Sequence, residues 1–288
     1  MLTLHRPCAR LPLHRVIILA LAISVTAFAQ KNASAEASSV LRPSDGGMLM
    51  VGEELHYNVG YSFFHLGRII IKVTDRFERG GRTIYRSKAI IDSAPGLPFV
   101  NVHIRFTGEF DEDLYSYVWT AEDSSDEGTS FRSLRFEYDS SRVFFEKGKK
   151  ISDSVVVESV DTVKITAKCQ DGLSLFFFAR KNVRQKKEMD VPTVVETEQV
   201  NTHFNFSHEI DEEEIDSVKY PIEVVLFDGR ADFVGVFGLT GGFSGRFSND
   251  EAGVPILARM KVILGSVRIE LDHWKRPGWV APRYVEKE

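Results

Sequence analysis

Residues 254–271, Val-Pro-Ile-Leu-Ala-Arg-Met-Lys-Val-Ile-Leu-Gly-Ser-Val-Arg-Ile-Glu-Leu, decide the fold class of this 288-residue chain. Apolar residues occupy alternate positions on both sides of Gly265-Ser266, which is typical of two β-strands that each bury one face. Gly-Ser suits a two-residue turn, because glycine tolerates the positive φ that such a turn needs. The stretch therefore predicts a hairpin with these opposed pairs: Leu264 and Val267, Val262 and Ile269, Met260 and Leu271, Lys261 and Glu270, and Arg259 and Asp272.

The same period of two runs through most of the chain from Glu53 to Trp274. It predicts a strand from Glu53 to Tyr61 and further strands over 67–77, 82–92, 103–110, 114–121, 130–138 and 142–146. Residues 172–181 differ, because their apolar cluster does not alternate and Asp171 is a typical helix-start residue. We predict an all-β fold with one short helix near 172–181. The sheet is expected to be large, curled and antiparallel, forming an open or partly closed barrel or β-roll.

The first 29 residues have the pattern of a secretory signal peptide. Three arginines precede an apolar run over 16–27, and Ala27-Phe28-Ala29 supplies small residues for cleavage before Gln30. A retained membrane anchor is the alternative, but the run is shorter than the roughly 20 residues that span a bilayer. We therefore predict a signal peptide over 1–29, a flexible leader over 30–50, one β-domain over 51–276 and a C-terminal tail over 277–288.

Composition excludes several classes of function. The formal net charge of −5 argues against a nucleic-acid partner. Removal of residues 1–29 would leave Cys169 as the one cysteine, and we predict that its side chain is buried and inert. No later apolar run is long enough for a membrane-spanning helix, so the chain is not expected to be an integral helical membrane protein. The sequence indicates no cofactor, and it does not indicate an oligomeric state.

Three stretches carry a resemblance to a known family. They are Gly52–Tyr61 continuing to Leu66-Gly67-Arg68-Ile69, Asp171–Arg180, and Gly245–Glu251 followed by Val254-Pro255 and Gly265-Ser266-Val267. In this order they resemble the domain of unknown function 3108 family of exported bacterial proteins. The resemblance implies coverage of nearly all of 51–271, an envelope location and a curled antiparallel β-structure. It implies no activity and no catalytic residue. By analogy alone, the shape is similar to the open barrels of periplasmic lipoprotein carriers.

Metal and phosphate motifs are weak in this sequence. His203 and His208 lie near Glu209 and Asp211, but residues five apart share neither a strand face nor a helix face, so we expect a solvated loop. The acidic run 211–216 lacks the turn glycine of a calcium loop and is also expected to be a loop. The glycine-rich segment 238–245 completes neither a phosphate loop nor a nucleophile elbow, and its glycines are expected to relieve a bend or bulge in the sheet.

The candidate ligand-binding residues are Phe243, Phe247, Ser248, Asn249, Asp250 and Glu251. Ser, Asn and Asp are common turn residues, so a turn whose side chains bond the local backbone is the structural interpretation of 248–251. The functional interpretation places Asp250 and Glu251 at a barrel mouth. The chain also has 21 phenylalanines, and we expect those at 63–64, 144–145, 176–178, 204, 206, 233, 237, 243 and 247 to form a core or to line a cavity for an acyl chain.

Three hypotheses follow for the function. The first is a non-enzymatic periplasmic β-protein that binds an apolar or amphipathic, lipid-like envelope ligand or an envelope partner. The second is an envelope hydrolase that cleaves a glycan or ester, with Asp250 and Glu251 as paired carboxylates. The third is an outer-membrane barrel, in which charged residues such as Lys261 and Glu270 would have to face the lumen. The first is preferred, because the sequence contains no recognisable catalytic constellation and no catalytic residue is assigned.

Overall fold

A computed structural model of the chain describes residues 47–97, 101–125, 128–151, 154–231, 233, 241–262 and 265–286. Within these residues the chain forms fourteen β-strands and one α-helix. In chain order they are β1 (Glu54–Tyr61), β2 (Phe64–Arg79), β3 (Arg82–Ser93), β4 (His103–Asp111), β5 (Ser116–Ser125), β6 (Gly128–Glu137), β7 (Arg142–Ile151), β8 (Ser154–Lys164), α1 (Ser174–Asn182), β9 (Lys187–Val195), β10 (Glu198–Glu213), β11 (Ile222–Ala231), β12 (Gly241–Ser248), β13 (Pro255–Val262) and β14 (Gly265–Lys275). The predicted signal peptide and nearly all of the predicted leader lie outside the described residues.

All fourteen strands belong to one sheet, in the order β8-β7-β6-β5-β4-β3-β2-β1-β14-β13-β12-β11-β10-β9. Every hydrogen-bonded neighbour in this order is antiparallel. The two edge strands approach each other, since Gln170, beyond β8, forms a parallel bridge with Thr193 of β9. The backbone N–H of Thr166 also donates to Gln199 Oε1 of β10 at 2.8 Å. The sheet is therefore curled but not closed, which confirms the predicted fold class.

The predicted register of the C-terminal hairpin is wrong. Val262 pairs with Gly265, and Met260 pairs with Val267 rather than with Leu271. The strands are thus joined through positions 263 and 264, which lie outside the described residues, and Gly265-Ser266 begins β14. Because the actual register differs from the predicted one by an even number of residues, every side chain keeps its predicted face while its partner changes. Arg259 consequently lies opposite Arg268 instead of Asp272.

The predicted helix is confirmed, and it lies on the inner side of the curl. Asp171 Oδ1 accepts hydrogen bonds from the backbone N–H groups of Leu173 and Ser174, at 2.6 and 2.9 Å, which fixes the start of the helix. Phe177 of α1 is fully buried, and its ring centroid lies 5.0 Å from that of Phe110 on β4. The helix therefore occupies part of the space that the sheet encloses.

The two faces of the sheet have opposite character. On β1, Leu55 and Tyr57 are buried in the same cluster as Phe177, so they define the inner face. Glu54 and His56 alternate with them and face outward, where Glu54 pairs with Lys72 of β2 at 3.2 Å. The alternation seen in the sequence thus separates an apolar interior from a charged exterior.

Candidate ligand-binding site

A buried ion triad fastens the lower end of the curled sheet, the end at which β1 begins and β14 finishes. Glu53 is 2% exposed and accepts hydrogen bonds from Arg180 of α1, with Nη1 at 2.8 Å from Oε2 and Nη2 at 3.1 Å from Oε1. Arg276, just after β14, donates from Nη1 to Glu53 Oε1 at 2.6 Å. Other guanidinium N–H groups of the two arginines donate to the backbone carbonyls of Ala252, Gly253 and Gly47. The triad thereby joins both ends of the domain to the helix and to the β12–β13 turn.

The charges of this triad are strongly coupled. Burial alone would raise the pKa of Glu53, but the charges and hydrogen bonds of Arg180 and Arg276 outweigh it and lower that pKa. Nearby Tyr57 has a hydroxyl with no hydrogen-bond partner among the described residues, and burial raises its pKa. We interpret the role of the triad as structural stabilisation of the lower end, because both carboxylate oxygens of Glu53 already accept hydrogen bonds.

No motif or periodicity in the sequence predicted this triad. The available signal was the position of two charged residues in apolar surroundings: Glu53 directly precedes the first alternating strand, and Arg180 follows Phe176-Phe177-Phe178. Charged side chains at such positions are almost never buried without an opposite charge. That rule would have predicted partners for both residues, although it would not have named them.

Phenylalanine side chains of α1 and of strands β10 to β12 fill one part of the interior. Phe178 of α1 packs against Phe204, which stacks on Phe206 with ring centroids 5.3 Å apart. Phe227 contacts Phe247 at 5.0 Å and Phe243 at 6.2 Å. These rings form one buried cluster beneath the helix, so at this level the expected aromatic lining is a packed core.

The expectation for Phe63-Phe64 is wrong, and Phe237 lies outside the described residues. Phe63 is 84% exposed and Phe64 is 54% exposed. Their positions at the turn between β1 and β2 place them at the end of the curl opposite the triad. This is the upper end, where β1 finishes at Tyr61 and β14 begins.

The upper half of the inner face carries apolar side chains that are only half-buried. They continue the buried inner rows of their strands, with Val59 two residues beyond Tyr57 and Ile269 two residues before Leu271. Val59 pairs with Ile269, Tyr61 pairs with Val267, and Val267 pairs with Met260, so the residues form one continuous surface. We call this surface the apolar wall: Val59, Tyr61, Ile69, Ile91, Met260, Val267 and Ile269.

Strands β5 to β8 contribute a polar surface to the same half of the inner face. Leu134, Phe145 and Val163 are buried inner residues, and the next inner positions toward the upper end are polar. We call this surface the polar wall: Asp123, Ser130, Arg132, Lys147 and Asp161. Arg132 Nη1 lies 3.0 Å from Glu196 Oε1 in the β9–β10 turn. The interior is therefore amphipathic in its upper half, with an apolar side and a charged side.

The predicted site residues do not come together as one site. Phe243 and Phe247 belong to the aromatic cluster, whereas residues 248–251 lie in and beside the β12–β13 turn at the lower end. Ser248 Oγ donates to Asp250 Oδ1 at 2.8 Å and accepts from the Val254 N–H at 2.7 Å. Asn249 Nδ2 donates to Glu223 Oε1, and Glu251 is exposed. The turn interpretation is confirmed.

Asp250 has both carboxylate oxygens occupied. Oδ1 also accepts from the Gly253 N–H at 3.0 Å, and Oδ2 accepts from Trp279 Nε1 at 2.8 Å. A carboxylate committed to turn amides and to a tryptophan is poorly arranged to exchange a proton with a substrate. The geometry therefore does not favour Asp250 and Glu251 as an acid/base pair.

The loop predictions for the histidine and acidic segments are wrong. His203 and His208 both lie in β10, where His203 Nδ1 is 3.0 Å from Asp190 Oδ1 of β9 and His208 has a φ of 57°. The acidic run begins in the same strand, because Asp211 and Glu213 approach Arg246 of β12, Glu213 at 2.8 Å. Cross-strand partners thus stabilise as strand a segment whose composition suggested a loop.

The burial predicted for Cys169 is confirmed. Its Sγ donates to the Ala167 carbonyl at 3.2 Å, and burial raises the pKa of its thiol to about 11. Of the glycine-rich segment, Gly241–Gly245 lies in β12, while 238–240 lies outside the described residues. Among the described residues, His, Cys, Asp and Glu side chains form no group of three that could hold a metal ion.

Comparisons with known proteins give a family but no activity. A family model described as "Protein of unknown function (DUF3108)" matches residues 56–272. A solved structure of a β-barrel-like protein of domain of unknown function DUF1849 from Brucella abortus is 12% identical, with a TM-score of 0.47. The match covers 77% of this chain and 96% of that one. No curated protein matches the chain. Over the part of the chain that is described, no helix is long and apolar enough to cross a bilayer.

Proposed function

The chain belongs to the DUF3108 family of proteins of unknown function, and we propose that it is an exported envelope protein that binds an amphipathic, lipid-like ligand inside its curled sheet. The observation that carries this proposal is the contrast between two parts of the interior. α1 and the phenylalanine rings of β10 to β12 fill one part, whereas the upper ends of β1 and β14 and the strands beside them present the half-buried apolar wall. Ligand sites of β-barrels commonly lie in such a mouth.

The two walls match the two parts of an amphipathic molecule. The apolar wall would contact an acyl chain, and the polar wall, with Arg132 and Lys147, would contact a polar or anionic head group. An acyl chain that buries about ten methylene groups gains about 8 kcal/mol. A gain of this size offsets much of the several kcal/mol that association costs, and binding in the micromolar range follows when the fit is good.

The proposal of export rests on the sequence of residues 1–29 alone. Cleavage after Ala29 would give a protein that begins with Gln30. The intact mass of the protein isolated from a periplasmic fraction tests this directly. A protein that retains Met1, or that is found only in the cytoplasm, would remove the envelope part of the proposal.

The ligand is tested by extracting the folded, natively purified protein with organic solvent and analysing the extract by mass spectrometry. We expect a stoichiometric amphipathic lipid, and an equal mass of an unrelated exported β-protein prepared in parallel is the control. If neither an extracted lipid nor binding of an added monoacyl lipid is detected, the proposal fails.

The other two hypotheses gain no specific support. A hydrolase needs two free carboxylates facing a cleft, and Asp250 is occupied by the turn and by Trp279. An outer-membrane barrel needs an apolar outer band, whereas the outward side chains of β1 and β2 form ion pairs such as Glu54 with Lys72.

A further inference from the structure

The outer face of β12, β13 and β14 holds a cluster of three arginines. The register of β13 and β14 places Arg259 directly opposite Arg268, and Arg246 of β12 lies opposite Leu257, two residues from Arg259 on the same face. Like charges at directly opposed positions destabilise a sheet. The Arg259–Arg268 pair therefore has an energetic disadvantage that a nearby anion would reduce.

Three carboxylates lie near the cluster, and Asp211 Oδ2 is 3.9 Å from Arg246 Nη2. Glu213 Oε2 lies 2.8 Å from Arg246 Nε, and Glu213 Oε1 lies 3.5 Å from Arg268 Nη2. Glu270 accepts a hydrogen bond from Arg268 Nε at 2.7 Å. Arg259 forms neither an ion pair nor a side-chain hydrogen bond with any described residue. Burial and the charge of Arg246 lower the pKa of Arg259, the charge of Glu213 raises it and that of Arg268 lowers it, so that the pKa lies below its ordinary value.

Arg259 lies on the outer face of the sheet between a covered residue and an exposed one. Below Arg259, Leu257 lies on the same outer face but is only 1% exposed. The segment that follows Glu213 passes beside it, and the Asp216 N–H of that segment donates to Glu270 Oε1. Above Arg259, Lys261 is exposed and forms no ion pair with a described residue. The cross-strand neighbours of Arg259 and Lys261 on β12 and β14 include small residues, namely Ser244 and Ser266. Arg259 and Lys261 are therefore two cations with small cross-strand neighbours and no direct ion pair to a described residue.

We propose that Arg259, supported by Arg268 and Lys261, forms a binding site for a phosphate-type oxyanion, either inorganic phosphate or the phosphate of a lipid head group. A guanidinium group donates two parallel hydrogen bonds to such an anion, and Lys261 adds a second positive charge. A phosphate monoester carries a charge of about −1.5 to −2 at pH 7, and inorganic phosphate and phosphodiester head groups are also anionic there. The site is on the outer face and does not depend on a ligand in the interior, so it stands or falls separately from the proposed function.

The test compares the full-length exported protein with its Arg259→Gln variant and with Arg105→Gln as a matched control. Arg105 is an exposed outer-face arginine of β4, but it lies opposite Glu122 rather than opposite another arginine. The midpoint of thermal unfolding is measured in sodium phosphate and in sodium chloride at equal ionic strength. Without phosphate, Arg259→Gln is expected to unfold at the same temperature as the wild type or higher, because a like-charge contact is removed.

We expect phosphate to raise the midpoint of the wild type and of Arg105→Gln, and we expect Arg259→Gln to bind phosphate about tenfold more weakly. Vesicles of phosphatidylcholine with and without phosphatidylglycerol distinguish the two sources. Arg259-dependent binding to the anionic vesicles identifies a head group as the ligand, whereas a response to phosphate alone identifies a free anion. A wild type that responds equally to phosphate and chloride, or an unchanged response in Arg259→Gln, overturns the proposal.

Discussion

The ring of Phe227 occupies the space that a side chain at Gly245 would fill. The two residues lie directly opposite each other on β11 and β12, and a Cβ atom added to Gly245 would be 2.1 Å from Phe227 Cε1. Two residues further along each strand, the glycine is on β11 and the phenylalanine is on β12, because Phe243 lies over Gly229. Each glycine thus allows the opposite ring to lie flat on the sheet beneath α1.

Replacement of Gly245 by alanine is therefore expected to destabilise the protein by about 1–3 kcal/mol through overpacking. Chemical denaturation followed by tryptophan fluorescence measures the change in the free energy of unfolding. Gly172→Ala is the matched control, since a Cβ atom there meets nothing within 4 Å, and it is expected to change stability little. The double variant Phe227→Leu, Gly245→Ala should lose less than the sum of the two single changes. An additive loss would contradict the contact.

Replacement of Glu53 by glutamine is expected to cost about 3–5 kcal/mol, because Arg180 and Arg276 remain buried without their counter-charge. Glu54→Gln is the control from the adjacent position. Its outward carboxylate pairs with Lys72 on the partly exposed face, where such pairs contribute about 0–1 kcal/mol. Similar losses for the two variants in urea denaturation would show that the triad does not fasten the lower end.

The stability of the wild type is expected to fall in acid through Glu53. Burial opposes ionisation, but Arg180 and Arg276 lower its folded-state pKa below the ordinary value of 4.5. A lowered pKa means that the stabilisation is fully present above the unfolded-state pKa and is lost as the pH falls through the folded-state pKa. The free energy of unfolding should therefore decrease between about pH 5 and pH 2. The decrease should be shallower in Glu53→Gln than in Glu54→Gln, and equal slopes in the two variants would exclude this role for Glu53.

The sequence determined which face each C-terminal residue occupies but not the register of the hairpin. Alternation is unchanged when one strand slides by an even number of residues, so the apolar pairs remain apolar in several registers. The choice of Gly265-Ser266 as the turn favoured the register with opposite charges, Arg259 with Asp272. In the structure, Glu213 comes from β10 and compensates Arg268 from outside the hairpin. A contact between strands so distant in the chain leaves no local signal.

The candidate site was predictable only in outline. A curled sheet with abundant phenylalanine suggested an apolar interior, and α1 was located from Asp171 and the run Phe176-Phe177-Phe178. The division into a part packed with phenylalanine and an amphipathic part depends on pairing β1 with β14, the first and last strands. Hydrophobic periodicity does not indicate which distant strands pair with each other. The apolar wall was therefore not identified from the sequence.

The most direct test of the proposed interior site compares two adjacent residues of β1 that face opposite ways. Val59 is part of the apolar wall, whereas Asn58 is exposed on the outer face. Binding of a fluorescent monoacyl lipid is titrated with the wild type, Val59→Glu and Asn58→Glu, after near-ultraviolet circular dichroism has shown that each is folded. We predict equal affinity for the wild type and Asn58→Glu, and an affinity at least about tenfold lower for Val59→Glu, because its carboxylate would lie against the acyl chain. No binding by the folded wild type, or equal binding by all three proteins, would contradict an acyl site in the upper half of the sheet.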